Sequence, residues 1–346
     1  AVTSAIAYTL LLVLARWGAT VIIKDPVTIP WIGIYGLALL ANLASETSQA
    51  VLQLGQHYRT QAVLTLLQNI ITVVWILAAV VLKGGVFDVL MAYLAGKALF
   101  GLGMLAAAVY HSNSLLGHGW WKHSIRILPE WRGMAKFAVS TNLSQTVNLL
   151  IRDSEVLWVG YFLSTVEAGY YKFALAIMNV ILMPITPFIQ TTFPEITRSV
   201  TRKAWQQVGL LLKRTSVIAL IWTAAAALGL LLFGGWLLGT FKGGEYLPSL
   251  PVIWLLLIGF GFANIFYWNR LVMLAFGKPN FPLIITAAVG AVKIGLMFLL
   301  VPAFGMTVQA GLMSLYFVFS IGIITLEGLK DLRKGRLLSE KLEAAV

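Results

Sequence analysis

The feature that most constrains this chain is a succession of about ten apolar stretches, each of a length that crosses the roughly 30 Å hydrocarbon core of a bilayer. They lie near residues 1–18, 28–54, 62–82, 86–109, 133–163, 167–193, 211–239, 249–276, 282–302 and 305–328. Turn residues mark the joints: Asp25-Pro26, Gly84-Gly85, Gly243-Gly244 and Lys278-Pro279-Asn280. Longer polar stretches occur only at 110–132, 194–210 and 329–346, and none is long enough to hold a soluble catalytic domain. Of 346 residues, 59% are apolar and 11% charged, and there is no cysteine. Soluble domains carry about 25% charged residues, so a water-soluble enzyme, a disordered tail and a disulfide scaffold are excluded. An all-α polytopic membrane protein is predicted, because helices satisfy their own backbone hydrogen bonds in lipid.

The formal charge of +12 is unusual beside that hydropathy, and the position of the cations explains most of it. With the 110–132 connection on the cytoplasmic side, alternation places about fifteen Lys and Arg there, among them Arg59, Arg126, Arg132, Arg198, Lys213, Lys278 and Arg333. The other side keeps Lys24, Lys83 and Lys242. The positive-inside rule then predicts a multi-pass membrane protein with a cytoplasmic C-terminus. The charge reads as orientation and attraction to anionic membrane lipids, not as nucleic-acid binding. Within 110–132, Trp120, Trp121, Ile125, Leu128 and Trp131 alternate with Lys122, Arg126 and Arg132, as in a helix lying in the interface.

An internal repeat sets the domain organisation. The segment beginning LLVLARWGATVIIKDPVTIPW runs parallel to that beginning LLLFGGWLLGTFKGGEYLPSL, pairing Trp17 with Trp236, Pro30 with Pro251 and Gly55 with Gly277. An offset of roughly 220 residues with an even number of spans between equivalent points predicts two lobes of the same topology, related by an axis along the membrane normal. The spans from 133 to 193 have no counterpart at the start, where the chain opens at Ala1 inside an apolar run. The repeat therefore predicts about two preceding helices, on the order of 85 residues, and about twelve spans in all. The predicted domains are an N-terminal lobe over 1–110, a cytoplasmic interfacial linker over 111–131, a six-helix lobe over 132–328 and a basic cytoplasmic tail over 329–346.

Polar residues within spans are costly in lipid, so their pattern is informative. Thr141, Gln145, Asn148, Arg152 and Glu155 recur at steps of four, three, four and three. At about 100° per residue they fall within an arc of roughly 80°. Asn42, Glu46, Gln49, Gln53 and Gln56 repeat that spacing, and Gln61, Thr65, Gln68 and Thr72 form a third stripe. Two readings fit: interhelical hydrogen bonds, or the walls of a water-filled cavity. The cations within spans are Arg16, Lys97, Lys136, Arg152, Lys172, Arg270 and Lys293, against Glu46, Asp153 and Glu155. Arg16 and Lys136 are near span ends and are expected to snorkel. Arg152 has Asp153 beside it and Glu155 one turn on, which fits a local ion pair. Lys172 shares a face with Asn179, and Lys293 with Thr286. The excess of cations suits an anionic ligand, and phosphate accepts both the Arg fork and the Lys point charge.

Other signals are weaker. His111, His118 and His123 lie without Cys or clustered carboxylates, so no metal site is expected, and no cofactor either. No nucleotide-binding G-x-x-x-x-G-K-[ST] loop is present. Gly235 and Gly239 form a small-xxx-small pair that predicts close helix packing. Pro184 and Pro187 predict a kink in the 167–193 span, as a structural bend or a gating hinge.

The stretch RGMAKFAVSTNLSQTVNLLIRDSEVLWVGYFLSTVEAGYYKFALAIMNVILMPITPFIQTTFPEITR at 132–198 resembles the entry to the C-terminal half of bacterial oligosaccharide flippases. These belong to the superfamily of multidrug, oligosaccharidyl-lipid and polysaccharide exporters, which also holds the peptidoglycan-precursor flippases. The likeness lies in Asp153, Gly160-Tyr161-Phe162, Glu167-Ala168-Gly169-Tyr170-Tyr171 and the closing Phe193-Pro194, and residues 56–81 are similar to the family's fifth helix. With the repeat, the resemblance covers nearly the whole chain. It implies two six-helix lobes in a V and transfer of an undecaprenyl-pyrophosphate-linked oligosaccharide from the inner to the outer leaflet by alternating access, with basic residues lining the cavity. On that reading the protein is not an enzyme. Lys97, Arg152, Lys172, Arg270 and Lys293 attract the pyrophosphate, and Gln145, Asn148, Gln49 and Gln53 hydrate the sugar. Glu46, Asp153 and Glu155 are the carboxylates available to a coupling proton or sodium ion. Three alternatives remain open. A multidrug exporter calls for acidic and aromatic groups in the cavity. A membrane-embedded polysaccharide polymerase or ligase calls for a large outer loop. A scaffolding protein calls for dry, fully paired polar stripes.

Overall fold

The computed structural model describes residues 2–117, 119, 146 and 149–343. Among these there is no strand, and eight helical stretches are long and apolar enough to cross a membrane. The protein is an all-α polytopic membrane protein. Residues 120–132 of the expected interfacial stretch and about half of the expected span 133–163, including Lys136, Thr141, Gln145 and Asn148, lie outside the described residues.

The chain divides into two units, Ala1–Met134 and Ala135–Val346. The first contains α1 (Val2–Trp17), α2 (Ile29–Ala41), α3 (Ser45–Leu54), α4 (Tyr58–Val81) and α5 (Val86–Leu116). A π-helical turn, Gly18–Ile23, follows α1, and α5 packs against α2, α3 and α4. Lipid gives no hydrophobic drive to join helices, so small residues that let backbones approach become decisive. The buried apolar side chains of this unit are accordingly mostly alanine: Ala15, Ala19, Ala38, Ala79, Ala92 and Ala108. At Gly101 a Cβ would overlap the Ala41 carbonyl oxygen, and at Gly96 it would overlap Thr72 Oγ1.

The second unit opens on a π-helical turn, Leu149–Asp153, followed by α6 (Glu155–Phe162), α7 (Thr165–Leu182), α8 (Thr186–Thr201), α9 (Trp205–Thr240), α10 (Leu250–Ile265), α11 (Asn269–Ala275) and α12 (Asn280–Glu343). Its core gathers Tyr171, Met178, Ile253, Leu256, Phe260 and Met313, with α10 packed on α7, α9 and α12. The 60-residue helical stretch Asn280–Ser339 would measure about 90 Å at 1.5 Å per residue, enough for two crossings. The backbone breaks at Gly305, whose φ of 75° suits glycine, between the two spans expected at 282–302 and 305–328.

The expected spans 28–54 and 249–276 are each one membrane-crossing stretch, Pro26–Leu54 and Leu247–Ala275, whose helix is interrupted at Asn42–Ala44 and at Phe266–Trp268. Side chains satisfy both breaks. Asn42 Nδ2 donates to Ala38 O and Lys97 O, both at 3.0 Å. Ser216 Oγ donates to Ile265 O at 3.0 Å and Asn269 Nδ2 to Phe266 O at 2.7 Å. The polar stretch 194–210 is helical apart from Arg202–Ala204, because its polar residues share exposed helix faces. The tail continues α12 as far as Glu343. Pro184 sits in a 3-10 turn, Met183–Ile185, that separates α7 from α8. Gly235 and Gly239 meet nothing within 4 Å, and their neighbour Gly234 is the one that faces α10, at Leu250.

The repeat is visible in local geometry within each unit. Short 3-10 turns, Pro26–Thr28 and Leu247–Ser249, precede helices with proline in the first turn, Pro30 and Pro251. Each of those helices breaks into a shorter one, closed by a left-handed residue: Gln56 at φ 57° and Gly277 at φ 73°. Backbone conformation thus pairs Gly277 with Gln56, one residue along from Gly55.

Candidate functional site

The site is built on the π-helical turn Leu149–Asp153. A π turn widens a helix and leaves carbonyls poorly paired. Here side chains take them up: Ser154 Oγ donates to Leu150 O at 2.8 Å, and Lys293 Nζ donates to Ile151 O. Lys293 also forms an ion pair with Glu155, and the two side chains are 3% and 0% exposed. Tyr171 OH donates to the other Glu155 oxygen at 2.6 Å. Ile151 is buried and seats on Gly290 of α12, where a Cβ would overlap its side chain. The local pair expected between Arg152 and Glu155 is therefore replaced by a long-range one, because Glu155 points into the helix packing and Arg152 away from it.

Arg152 is left exposed, with its guanidinium 5.7 Å from the centre of the Phe317 ring, in cation–π range. It lines two adjoining cavities of about 120 and 280 Å³. The smaller is also lined by Arg270, Asn269, Thr286, Tyr316 and Ser320, and the larger by Asn264, Tyr267 and Asn269. Tyr316 lies within electrostatic reach of both Arg152 and Arg270. Among the described residues no carboxylate lines either cavity and neither arginine has an ion pair. Two forked cations amid hydroxyls and amides form an arrangement suited to a phosphate or pyrophosphate group.

The remaining expected residues are placed as follows. Lys172 and Asn179 share an exposed face of α7. Asp153 is exposed. In the first unit, Lys97 is half-buried on α5, and its carbonyl accepts from Asn42. Gln61 Nε2 donates to Gln49 Oε1 at 3.4 Å, joining two of the polar stripes, while Glu46 and Gln53 are exposed. His111 lies in α5 rather than in a connection, stacked on His57 at 3.7 Å. Asn264, Tyr267, Asn269, Tyr316 and Ser320 were not expected at the site. The signal that could find Asn264 and Asn269 is a pair of amide side chains, five residues apart, within an otherwise apolar run. Tyr316 and Ser320 are four apart on one face of α12.

Comparison with known sequences adds one finding. No curated protein matches the chain significantly. Residues 1–251, most of the chain, match a family whose description is polysaccharide biosynthesis protein. The chain belongs to that polysaccharide biosynthesis protein family.

Proposed function

We propose that this protein is a flippase, which carries an undecaprenyl-pyrophosphate-linked oligosaccharide from the inner to the outer leaflet of the bacterial cytoplasmic membrane by alternating access. The observation that carries the reading is the placement of Arg152 and Arg270 on one cavity that no carboxylate among the described residues lines. Membership of a polysaccharide biosynthesis family supports an anionic, lipid-linked sugar as the cargo. The pyrophosphate binds the two guanidinium groups, the Asn264 and Asn269 amides offer hydrogen bonds to its oxygens and the first sugar, and the polyprenyl tail stays in the bilayer. Ser320 Oγ, whose proton goes to Tyr316 O, offers only an acceptor. Lys172, exposed on α7 of the same unit, supplies further positive charge. No covalent bond is made or broken, so the protein is not an enzyme. Glu155 is held by Lys293 and Tyr171, which leaves Glu46 and Asp153 as the carboxylates open to a coupling proton or sodium ion. The cation distribution supports a cytoplasmic C-terminus. A cavity with two arginines and, among the described residues, no carboxylate does not favour a cationic drug as cargo.

The test is surface polysaccharide display in cells whose own copy is replaced by Arg152→Ala or Arg270→Ala at normal protein level. Display should be lost in both. Normal display in both variants overturns the reading.

A further inference from the structure

Away from the arginine cavity, the second unit carries a groove of about 510 Å³ between the start of α9 and the end of α12. One wall is Leu210 and Lys213, and the other is Leu329, Arg333 and Arg336, at steps of four and three along one helix face. Trp205 closes the end. Its ring lies where a Cβ on Gly335 would come within 2.9 Å, and its indole N–H donates to Ser339 Oγ at 2.8 Å. The two helices are thereby fixed to each other, so the groove is preformed.

Two of its cations, Lys213 and Arg333, have no ion-pair partner among the described residues. Asp331 is taken by Lys278 at 2.6 Å and Glu327 by Lys330 at 3.5 Å. Residues 203–214 contain Lys203, Lys213 and Arg214 and no acid. The polar end of the groove therefore selects an anion. The other end is apolar: Leu210 and Leu329 are exposed, and the apolar surface continues over exposed Val217 and Leu326 into the membrane-crossing parts of both helices. A soluble anion has no use for such a wall. A tryptophan at the junction of the two is the residue that favours the headgroup boundary.

We propose that this groove binds an anionic phospholipid, its phosphate held by Lys213, Arg333 and Arg336 and its acyl chains lying along Leu210, Leu326 and Leu329. Basic pockets between membrane helices on the cation-rich side are suited to such headgroups. The site shares no residue with the arginine cavity, so it stands or falls separately from the transport reading.

The experiment is native mass spectrometry and thermal unfolding of the purified full chain with cardiolipin, with phosphatidylcholine, and with inorganic pyrophosphate. Cardiolipin should stay bound and raise the unfolding temperature, and phosphatidylcholine should do neither. Lys213→Gln/Arg333→Gln/Arg336→Gln, all at exposed positions, should weaken cardiolipin binding roughly a hundredfold, at a factor of about five for each cation near the membrane surface. Arg152→Gln/Arg270→Gln should leave it unchanged. The proposal is overturned if the triple variant binds cardiolipin as the wild type does, if phosphatidylcholine or pyrophosphate matches cardiolipin, or if the Arg152/Arg270 variant loses the lipid.

Discussion

Lys293 and Glu155, 138 positions apart, form an ion pair out of contact with solvent, and Lys293 also caps the Ile151 carbonyl in the π turn that presents Arg152. Removing one partner leaves an uncompensated charge inside the protein, at a cost of about 3–5 kcal/mol, whereas removing both charges is far less costly. Lys293→Met should therefore unfold at a markedly lower temperature in detergent. Glu155→Gln/Lys293→Met should regain most of the loss, since the introduced amide oxygen still accepts from Tyr171. Equal losses in the single and double variants would show that the pair does not hold this turn.

Gly259 of α10 faces Ser314 of α12 so closely that a Cβ would overlap the Ser314 Cα, and its amide donates to Ser314 Oγ at 3.2 Å. Gly311, three residues earlier on α12, meets nothing within 4 Å. Gly259→Ala should cost about 1–3 kcal/mol through forced separation of the two helices. Gly311→Ala should be neutral or up to about 1 kcal/mol stabilising, because alanine is the better helix former. Unfolding temperatures of the two variants check this contrast.

Lys278, in the connection between α11 and α12, has its ammonium raised above the ordinary value of 10.5 by its hydrogen bond to Asp331, with the charges of Asp331 and Glu327 adding to the effect. A raised ammonium contributes stability that is fully present below the ordinary value and is lost as pH rises through the folded one. The wild type should thus exceed Lys278→Met in unfolding temperature by a small, constant margin between pH 7 and 9. That margin should shrink as pH passes above 10.5. A margin that grows with pH would contradict the assignment.

The fold was readable because spans are dictated by length and hydropathy, and the repeat because Pro30 and Pro251 begin equivalent helices. The breaks after Ala41 and Ile265 were not readable: apolar residues continue across both, and the hydrogen bonds that permit them come from Lys97 and Ser216, distant in sequence. For the same reason the stripe carrying Arg152 and Glu155 gave their common face without their partners. Spacing cannot tell which of two polar residues on a face turns inward, and here a π turn sends Glu155 to Lys293 and Arg152 to the cavity. Arg270 was found as a cation in a span, but its neighbourhood with Arg152 required the chain to bring together positions 118 residues apart.

The central claim is that Arg152 and Arg270 together hold the pyrophosphate of a lipid-linked oligosaccharide in transit. It is tested most directly in proteoliposomes, by the rate at which a fluorescent undecaprenyl-pyrophosphate oligosaccharide becomes accessible from the opposite leaflet. Arg152→Gln/Arg270→Gln should unfold at the wild-type temperature and move the lipid at least about tenfold more slowly, since each lost charge-assisted contact is worth about 1.5–3 kcal/mol. A double variant that moves it at the wild-type rate would contradict the account.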